Sequence, residues 1–134
     1  VGAVALDVNG NIAAGTSTGG MTNKRYGRIG DVPVIGAGTY AENGVCGISA
    51  TGHGEFFIRN VVAHDIAARI KYAGHGIDKA ATEVIAELKE KGGAGGVVGL
   101  DSQGHVVMPF NTPGMFRGYI SLDGSPVVAI YAED

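Results

Sequence analysis

The stretch VGAVALDVNGNIAAGTS, residues 1–17, decides the fold of this chain. Two apolar runs flank Asn9-Gly10, a dipeptide typical of the tight turn of a β-hairpin. We therefore expect residues 1–8 and 11–15 to pair as antiparallel strands. A strand that starts at the first residue needs a sheet to hold it, because free chain ends fray.

Further strand patterns occur on both sides of a helical region. Residues 32–41, VPVIGAGTYA, and 44–52, GVCGISATG, predict two strands joined by a hairpin turn at 42–44, Glu-Asn-Gly. Residues 92–110 predict strands around a turn at 102–104, Ser-Gln-Gly. At most two more strands are predicted in GMFRGYISLDG, residues 114–124, and PVVAIYAED, residues 126–134.

The central region changes to a helical period. Apolar residues recur every four positions in 54–74 and predict one amphipathic helix that ends near Gly74. A second helix is predicted from about Asp78, its N-cap, to Lys91. The apolar faces consist of Ile58, Val62, Ile66 and Ile70 in the first helix and Ala81, Val84, Ile85 and Leu88 in the second.

This order of elements predicts a single α+β domain over residues 1–134, with the helices on one face of a largely antiparallel sheet. The 134 residues are 45% hydrophobic and 17% charged, which is typical of a globular chain with one core. Strands such as VGAVAL and GGVVGL are apolar on both sides. The second face of the sheet therefore has to be covered by another sheet or another chain.

Charge and composition argue against several classes of function. The net charge is −3 and the nearest basic cluster is Lys24, Arg25 and Arg28 in one loop, so no nucleic-acid partner is expected. No apolar run is long enough to span a membrane, so we expect no membrane partner. The single cysteine, Cys46, lies in a strand pattern and predicts a core thiol in a reducing, cytoplasmic compartment. The four histidines do not cluster, so no metal site is expected.

Three short motifs hold the candidate functional groups: TSTGG at 16–20, RIGD at 28–31 and ATGHGE at 50–55. Glycines beside threonines at strand ends let backbone amides approach a ligand, and the amino end of a helix favours an anion. Arg28 and Asp31 supply opposite charges three residues apart, which suits the carboxylate and amine of an amino acid. Each motif taken singly also fits a plain turn or a surface ion pair.

Taken together, the motifs point to a known family. VGAVALDVNGNIAAGTSTGGMTNKRYGRIGD at 1–31, ATGHGE at 50–55 and PFNTPGMFRG at 109–118 resemble, in the family's order, the β subunit of plant-type L-asparaginases and isoaspartyl peptidases. These are N-terminal nucleophile hydrolases. The resemblance implies an αββα sandwich completed by a separate α subunit, both cut from one precursor by autoproteolysis. It also implies a heterotetramer of two αβ pairs and no cofactor beyond a structural sodium in the α subunit.

The resemblance also assigns roles to residues. Thr18 resembles the residue that hydrogen-bonds the nucleophile, while Thr51 and the amide of Gly52 resemble the oxyanion hole. Arg28 resembles the clamp on the α-carboxylate of the substrate and Asp31 the acceptor for its α-amine. Gly52 and Gly54 line the pocket, and no metal belongs to the site.

The family's nucleophile is a threonine directly before VGAVAL, so it is expected immediately before Val1. A hydroxyl is a poor nucleophile, but a free α-amine with a pKa near about 8 can take its proton. The expected reaction is hydrolysis of the side-chain amide of L-asparagine and of β-aspartyl (isoaspartyl) dipeptides. Two alternatives stay open: a glycosylasparaginase-type amidase, and a noncatalytic fragment, because residues 1–134 do not include the nucleophile.

Overall fold

The computed structural model describes residues 1–132 of the chain. Its strands and helices are β1 Gly2–Leu6, β2 Ile12–Thr16, β3 Thr39–Glu42, β4 Cys46–Gly52, α1 Gly54–Asn60, α2 Val62–Ala73, α3 Ile77–Glu90, β5 Gly95–Asp101, β6 Val106–Val107, β7 Arg117–Ile120 and β8 Pro126–Ala129. The last predicted strand thus corresponds to β8, and Glu133 and Asp134 lie outside the described residues. None of the described helices has the length and apolar character needed to cross a membrane.

The predicted first hairpin is confirmed, although its strands are shorter than expected. β1 and β2 pair antiparallel with Leu6 opposite Ile12. The turn begins already at Asp7, whose Oδ1 accepts the backbone N–H groups of Asn9 and Asn11, both at 2.8 Å. A carboxylate that satisfies two turn amides favours the turn over further strand pairing.

The prediction of a strand over 32–41 is correct only at its carboxyl end, in β3. Residues 32–38 form turns around Asp31, whose carbonyl oxygen accepts the N–H groups of Val34 at 2.9 Å and Gly38 at 3.2 Å. Pro33 has no N–H to give to a sheet ladder. These local hydrogen bonds replace the strand pairing that the apolar pattern had suggested.

The single helix predicted over 54–74 is two helices. Val61 lies between α1 and α2 in the left-handed conformation, with φ 48° and ψ 46°. The N–H groups of Ala63 and His64 donate to the carbonyl oxygens of Ala37 and Gly36, at 3.1 and 2.8 Å. Because these amides bond to a neighbouring turn, they are not available to continue α1.

Other helix boundaries agree with the sequence or differ by two positions at most. α2 is followed by Gly74, a left-handed C-cap, as predicted. The N-cap of α3 is Gly76, whereas Asp78 lies in the first helical turn, where its charge complements the helix dipole. The four residues predicted to form the apolar face of α3 are all buried.

A four-stranded sheet, in the order β3-β4-β5-β6, forms the centre of the molecule, and its strand pairs are antiparallel as expected. Alternate residues of β4, Cys46, Ile48 and Ala50, are buried in one cluster with residues of the helices. Phe57 of α1 and Ile66 of α2 are fully buried in this cluster. The predicted helical layer on one face of the sheet is therefore confirmed.

The β1–β2 hairpin lies on the opposite face of this sheet. A Cβ atom at Gly47 would be only 2.7 Å from Cγ2 of Ile12, so the absence of a side chain on β4 lets the hairpin approach. The hydroxyls of Thr16 and Ser49 lie 2.6 Å apart across the two layers. The expected second cover is thus supplied in part by this chain, as a second sheet of two strands. β7 and β8 form a separate two-stranded sheet.

Candidate functional site

A polar cleft of about 330 Å³ lies where β4 ends, next to the loop that follows β2. All six residues predicted as site residues line it: Thr18, Arg28, Asp31, Thr51, Gly52 and Gly54. The structure therefore brings together three motifs that are separated by up to 36 positions in the sequence, from Thr18 to Gly54. We refer to this space as the polar cleft.

The junction between β4 and α1 forms one wall of the polar cleft. Gly52 has a φ of +149°. A Cβ atom there would collide with the carbonyl oxygen of Ala94, the residue directly before β5. The N–H of His53 donates to the same carbonyl at 2.8 Å, which ends the sheet pairing and starts the helix. Only glycine fits position 52, so the close approach of the two backbones requires a glycine directly after Thr51.

Asp31 is the buried acidic group of the polar cleft. The residue is 5% exposed, and its Oδ2 has no hydrogen-bond partner among the described residues. Burial raises the pKa of this carboxyl, while the positive charge of Arg28 opposes that shift. The site therefore holds a carboxylate that lacks a full set of partners within residues 1–132.

Two glycines leave room for the Asp31 carboxylate. A Cβ atom at Gly54 would be 2.8 Å from Oδ1 of Asp31, and one at Gly38 would be 2.9 Å from Oδ2. Gly54 was predicted as a pocket residue, whereas Gly38 was missed. Its only signal in the sequence is a glycine within an apparent strand, and that signal does not identify the residue it touches.

The loop that follows β2 supplies the cations. Arg28 and Lys24 both line the polar cleft, and neither forms an ion pair with a carboxylate in the described part of the chain. Lys24 is partly buried, whereas Arg25 is exposed and lies outside the cleft lining. The sequence showed three cations in this loop but could not separate those that face the cleft from the one that does not.

The start of β1 is held directly beside Thr18. The backbone nitrogen of Val1 donates to the carbonyl oxygen of Ser17 at 2.8 Å, and the N–H of Ser17 donates back to Val1 at 2.7 Å. Thr18 Oγ1 accepts the N–H of Gly20 at 2.9 Å, which fixes its side chain in a tight turn. Val1 itself lines the polar cleft.

A second, more apolar cleft of about 490 Å³ adjoins the first. It extends between the start of β1, the start of β5 and residues 112–116, where Met115 and Phe116 contribute apolar surface. The two clefts share Val1, Ala50, Thr51, Gly52 and His53. They therefore meet at the amino end of β1. His53 was missed as a lining residue, although it stands inside the ATGHGE motif.

Cys46 agrees with its predicted place in the core. It is fully buried, and burial raises the pKa of its thiol to about 12. A thiol of that pKa carries almost no thiolate at neutral pH, so Cys46 is not a nucleophile there. Within residues 1–132, no three His, Cys, Asp or Glu side chains form a group that could hold a metal ion.

Comparison with known proteins agrees with this arrangement. The family model described as asparaginase matches residues 1–130. The isoaspartyl peptidase of Escherichia coli (strain K12) is 51% identical over 134 residues, covering 99% of this chain and 42% of that protein. The putative isoaspartyl peptidase/L-asparaginase of Dictyostelium discoideum is 53% identical over 125 residues, covering 93% of this chain and 36% of its own length. The probable isoaspartyl peptidase/L-asparaginase 2 of Arabidopsis thaliana is 48% identical over 131 residues, covering 98% and 40%.

The chain spans about two fifths of the length of these curated relatives. The family model nevertheless covers nearly the whole chain, and its match includes both strands of the first hairpin and every residue of the polar cleft. On this evidence the chain belongs to the asparaginase family.

Proposed function

We propose that the complete protein hydrolyses the side-chain amide of L-asparagine and β-aspartyl dipeptides, through a threonine that directly precedes Val1. The observation that carries this proposal is the convergence of Thr18, Thr51, Arg28 and Asp31 on one cleft at the amino end of β1. A residue bonded to the nitrogen of Val1 would extend from that point. The names of relatives about half identical to this chain, isoaspartyl peptidase and L-asparaginase, support the same reaction.

The proposed nucleophile acts through its own α-amine. The amine takes the hydroxyl proton as Oγ bonds to the carbonyl carbon of the substrate amide, and the proton passes to the leaving amine or ammonia as the C–N bond breaks. Water then attacks the resulting ester and returns the proton to Oγ. The proposed hydrogen-bond partner of the nucleophile is Thr18, whose hydroxyl is oriented by the hydrogen bond that it accepts from the N–H of Gly20.

The developing oxyanion needs donors on the other side of the carbonyl carbon. We assign this role to the hydroxyl of Thr51 and the amide of Gly52, which line the polar cleft next to Val1. Hydrogen-bond donors fixed at the end of a strand need little reorganisation during the reaction. In comparable sites, the loss of one such donor lowers kcat by about 10²–10³. The absence of a side chain at Gly52 allows the backbone to take this position.

Arg28 and Asp31 are the proposed recognition pair for the aspartyl half of the substrate. The guanidinium suits a planar α-carboxylate, and the buried Asp31 carboxylate gains a positively charged partner when an α-ammonium binds. The lack of side chains at Gly38 and Gly54 gives this carboxylate the room it occupies. A zwitterionic amino-acid head group is therefore the ligand that matches the pair.

The remaining part of the αββα sandwich is proposed to come from an α subunit of the same precursor, with two αβ pairs in the assembly. Two features support a missing cover. The β7–β8 sheet exposes Ile120 and Val128, at 72% and 83%, and Phe116 beside it is 85% exposed. Exposed apolar area of this kind is typical of a surface that contacts another chain.

Activity of the complete, matured protein tests the proposal. We expect turnover of L-asparagine and of a β-aspartyl dipeptide, and a fall in kcat/KM of about 100-fold or more in Arg28→Ala, because a charged hydrogen-bonding clamp is removed. Arg25→Ala, in the same loop but outside the cleft lining, is the matched control. Intact mass of the β chain should show one threonine before Val1. Full activity in Arg28→Ala would reject the recognition pair.

A further inference from the structure

The polar cleft contains one more cation than the head group of asparagine requires. Of the Lys, Arg, Asp and Glu side chains, those that line it are Lys24, Arg28 and Asp31. Free asparagine carries one carboxylate and one ammonium, which Arg28 and Asp31 match. Lys24 is then left without a counter-charge, since it forms no ion pair with a carboxylate in residues 1–132.

The position of Lys24 is built into the loop. It is the only residue between Gly19 and Ile29 that is partly buried, whereas its neighbours in the loop are exposed. Its N–H donates to the carbonyl oxygen of Met21 at 3.0 Å, which closes a turn. Its aliphatic stem lies over Gly20, where a Cβ atom would overlap Cδ of the lysine. Gly20 has a φ of +82°, so both its backbone conformation and its lack of a side chain admit the lysine.

A β-aspartyl dipeptide carries the charges that complete this pattern. It has the α-carboxylate and α-ammonium of the aspartyl residue and, in addition, the free carboxylate of the second residue. The two carboxylates are separated by the aspartyl side chain and the scissile amide. The long, flexible stem of a lysine suits an anion whose position varies with the second residue, whereas the planar guanidinium of Arg28 suits the invariant α-carboxylate.

We infer that Lys24 is a specificity-determining residue that binds the terminal carboxylate of the second residue and so favours β-aspartyl dipeptides with a free carboxyl end. This inference rests on the proposed function. A carboxylate that is amidated, or absent as in asparagine, would gain nothing from Lys24. The expected contribution is one charge-assisted hydrogen bond.

Three substrates separate this role from general damage to the loop: β-aspartyl-leucine, β-aspartyl-leucinamide and L-asparagine. In the complete enzyme, Lys24→Met should lower the ratio of kcat/KM for β-aspartyl-leucine to that for β-aspartyl-leucinamide about tenfold. Lys24→Arg should restore most of the ratio because it keeps the charge. Arg25→Met, one position away and outside the cleft lining, should leave the ratio at the wild-type value.

Each other outcome overturns the inference. An unchanged ratio in Lys24→Met would mean that the lysine does not contact the terminal carboxylate. An equal loss with all three substrates would mean a positioning role for the loop. A wild-type enzyme that hydrolyses L-asparagine but shows the same kcat/KM for the free and amidated dipeptides would reject the role of Lys24 and leave the proposed function intact. A matured wild-type enzyme inactive on all three would reject the proposed function as well.

Discussion

The carboxylate of Asp31 lies against the backbone of Gly54, where a Cβ atom would stand 2.8 Å from Oδ1 and 3.0 Å from the backbone nitrogen of Asp31. This contact joins the loop that follows β2 to the first residue of α1. The buried acid of the cleft and the helix next to Thr51 and Gly52 therefore keep a fixed relative position. In this site, glycine at 54 is a spacing element between two functional segments.

Gly54→Ala is expected to displace the Asp31 carboxylate without removing any charged group. A methyl group at this distance forces a shift, and a misplacement of about 1 Å in a binding group can cost about 100-fold in kcat/KM. Steady-state kinetics of the complete enzyme with L-asparagine would measure the loss. Gly76→Ala is the control, because a Cβ atom there meets open space. Equal kinetics for the two variants would show that the contact at Gly54 does not position Asp31.

Asp31→Asn is expected to raise stability at neutral pH and to lower activity. Burial raises the pKa of Asp31 in the folded state. Its contribution to stability is therefore most favourable below the ordinary carboxyl range, where both states are protonated, and is lost as pH rises through the raised pKa. The amide does not titrate, so the gain of the variant over the wild type should be absent at low pH and develop as pH rises.

Urea unfolding of both proteins across this pH range measures the difference, and kcat/KM with L-asparagine should fall by about 100-fold or more because the ammonium acceptor is neutral. Asp123→Asn is a useful control. The pKa of Asp123 is lowered by hydrogen bonds from Ser125 and Ser121, so its loss should change stability in the opposite direction with pH. A wild type more stable than Asp31→Asn at neutral pH would contradict the expected cost of the buried carboxylate.

Local sequence signals predicted the elements that depend on local interactions. The turn at Asn9-Gly10, the end of α2 at Gly74 and the apolar face of α3 all follow from neighbours within a few positions. The interruption of the helix at Val61 could not be predicted in this way, because it depends on hydrogen bonds from α2 to a turn that precedes β3. No periodicity within 54–74 contains that information.

The candidate site divides in the same way. Thr18, Arg28, Asp31 and Thr51 could be selected because their motifs occur together and in order. The contact of Gly38 with Asp31 and the orientation of Lys24 toward the cleft could not, since both depend on how distant or flexible segments pack. The sequence thus identified the candidate functional residues, whereas the packing around them could be identified only from the structure.

Val61→Gly is expected to stabilise the protein. A β-branched residue in the left-handed region is strained by about 1–2 kcal/mol, and Val61 is 45% exposed, so little buried surface is lost. Glycine gives back part of this gain through the entropy of the unfolded chain, which leaves a net increase of about 0.5–1 kcal/mol. Chemical denaturation measures it. Tyr72→Gly, exposed within α2, should instead lower stability by about 0.5 kcal/mol. A loss of stability in both variants would show that Val61 is not strained.

Cys46 is expected to resist alkylation in the native protein. Its thiol is fully buried and has a pKa raised to about 12 by burial, so the reactive thiolate is almost absent at pH 8. Because it is the only cysteine in residues 1–134, the mass of the β chain reports its reaction directly. Iodoacetamide at pH 8 should leave the native mass unchanged over an hour and add one adduct within minutes in denaturant.

Cys46→Ala should retain activity, since the side chain of Cys46 faces the helical layer and lines neither cleft. Rapid alkylation of the folded enzyme with parallel loss of activity would show instead that this thiol reaches the site.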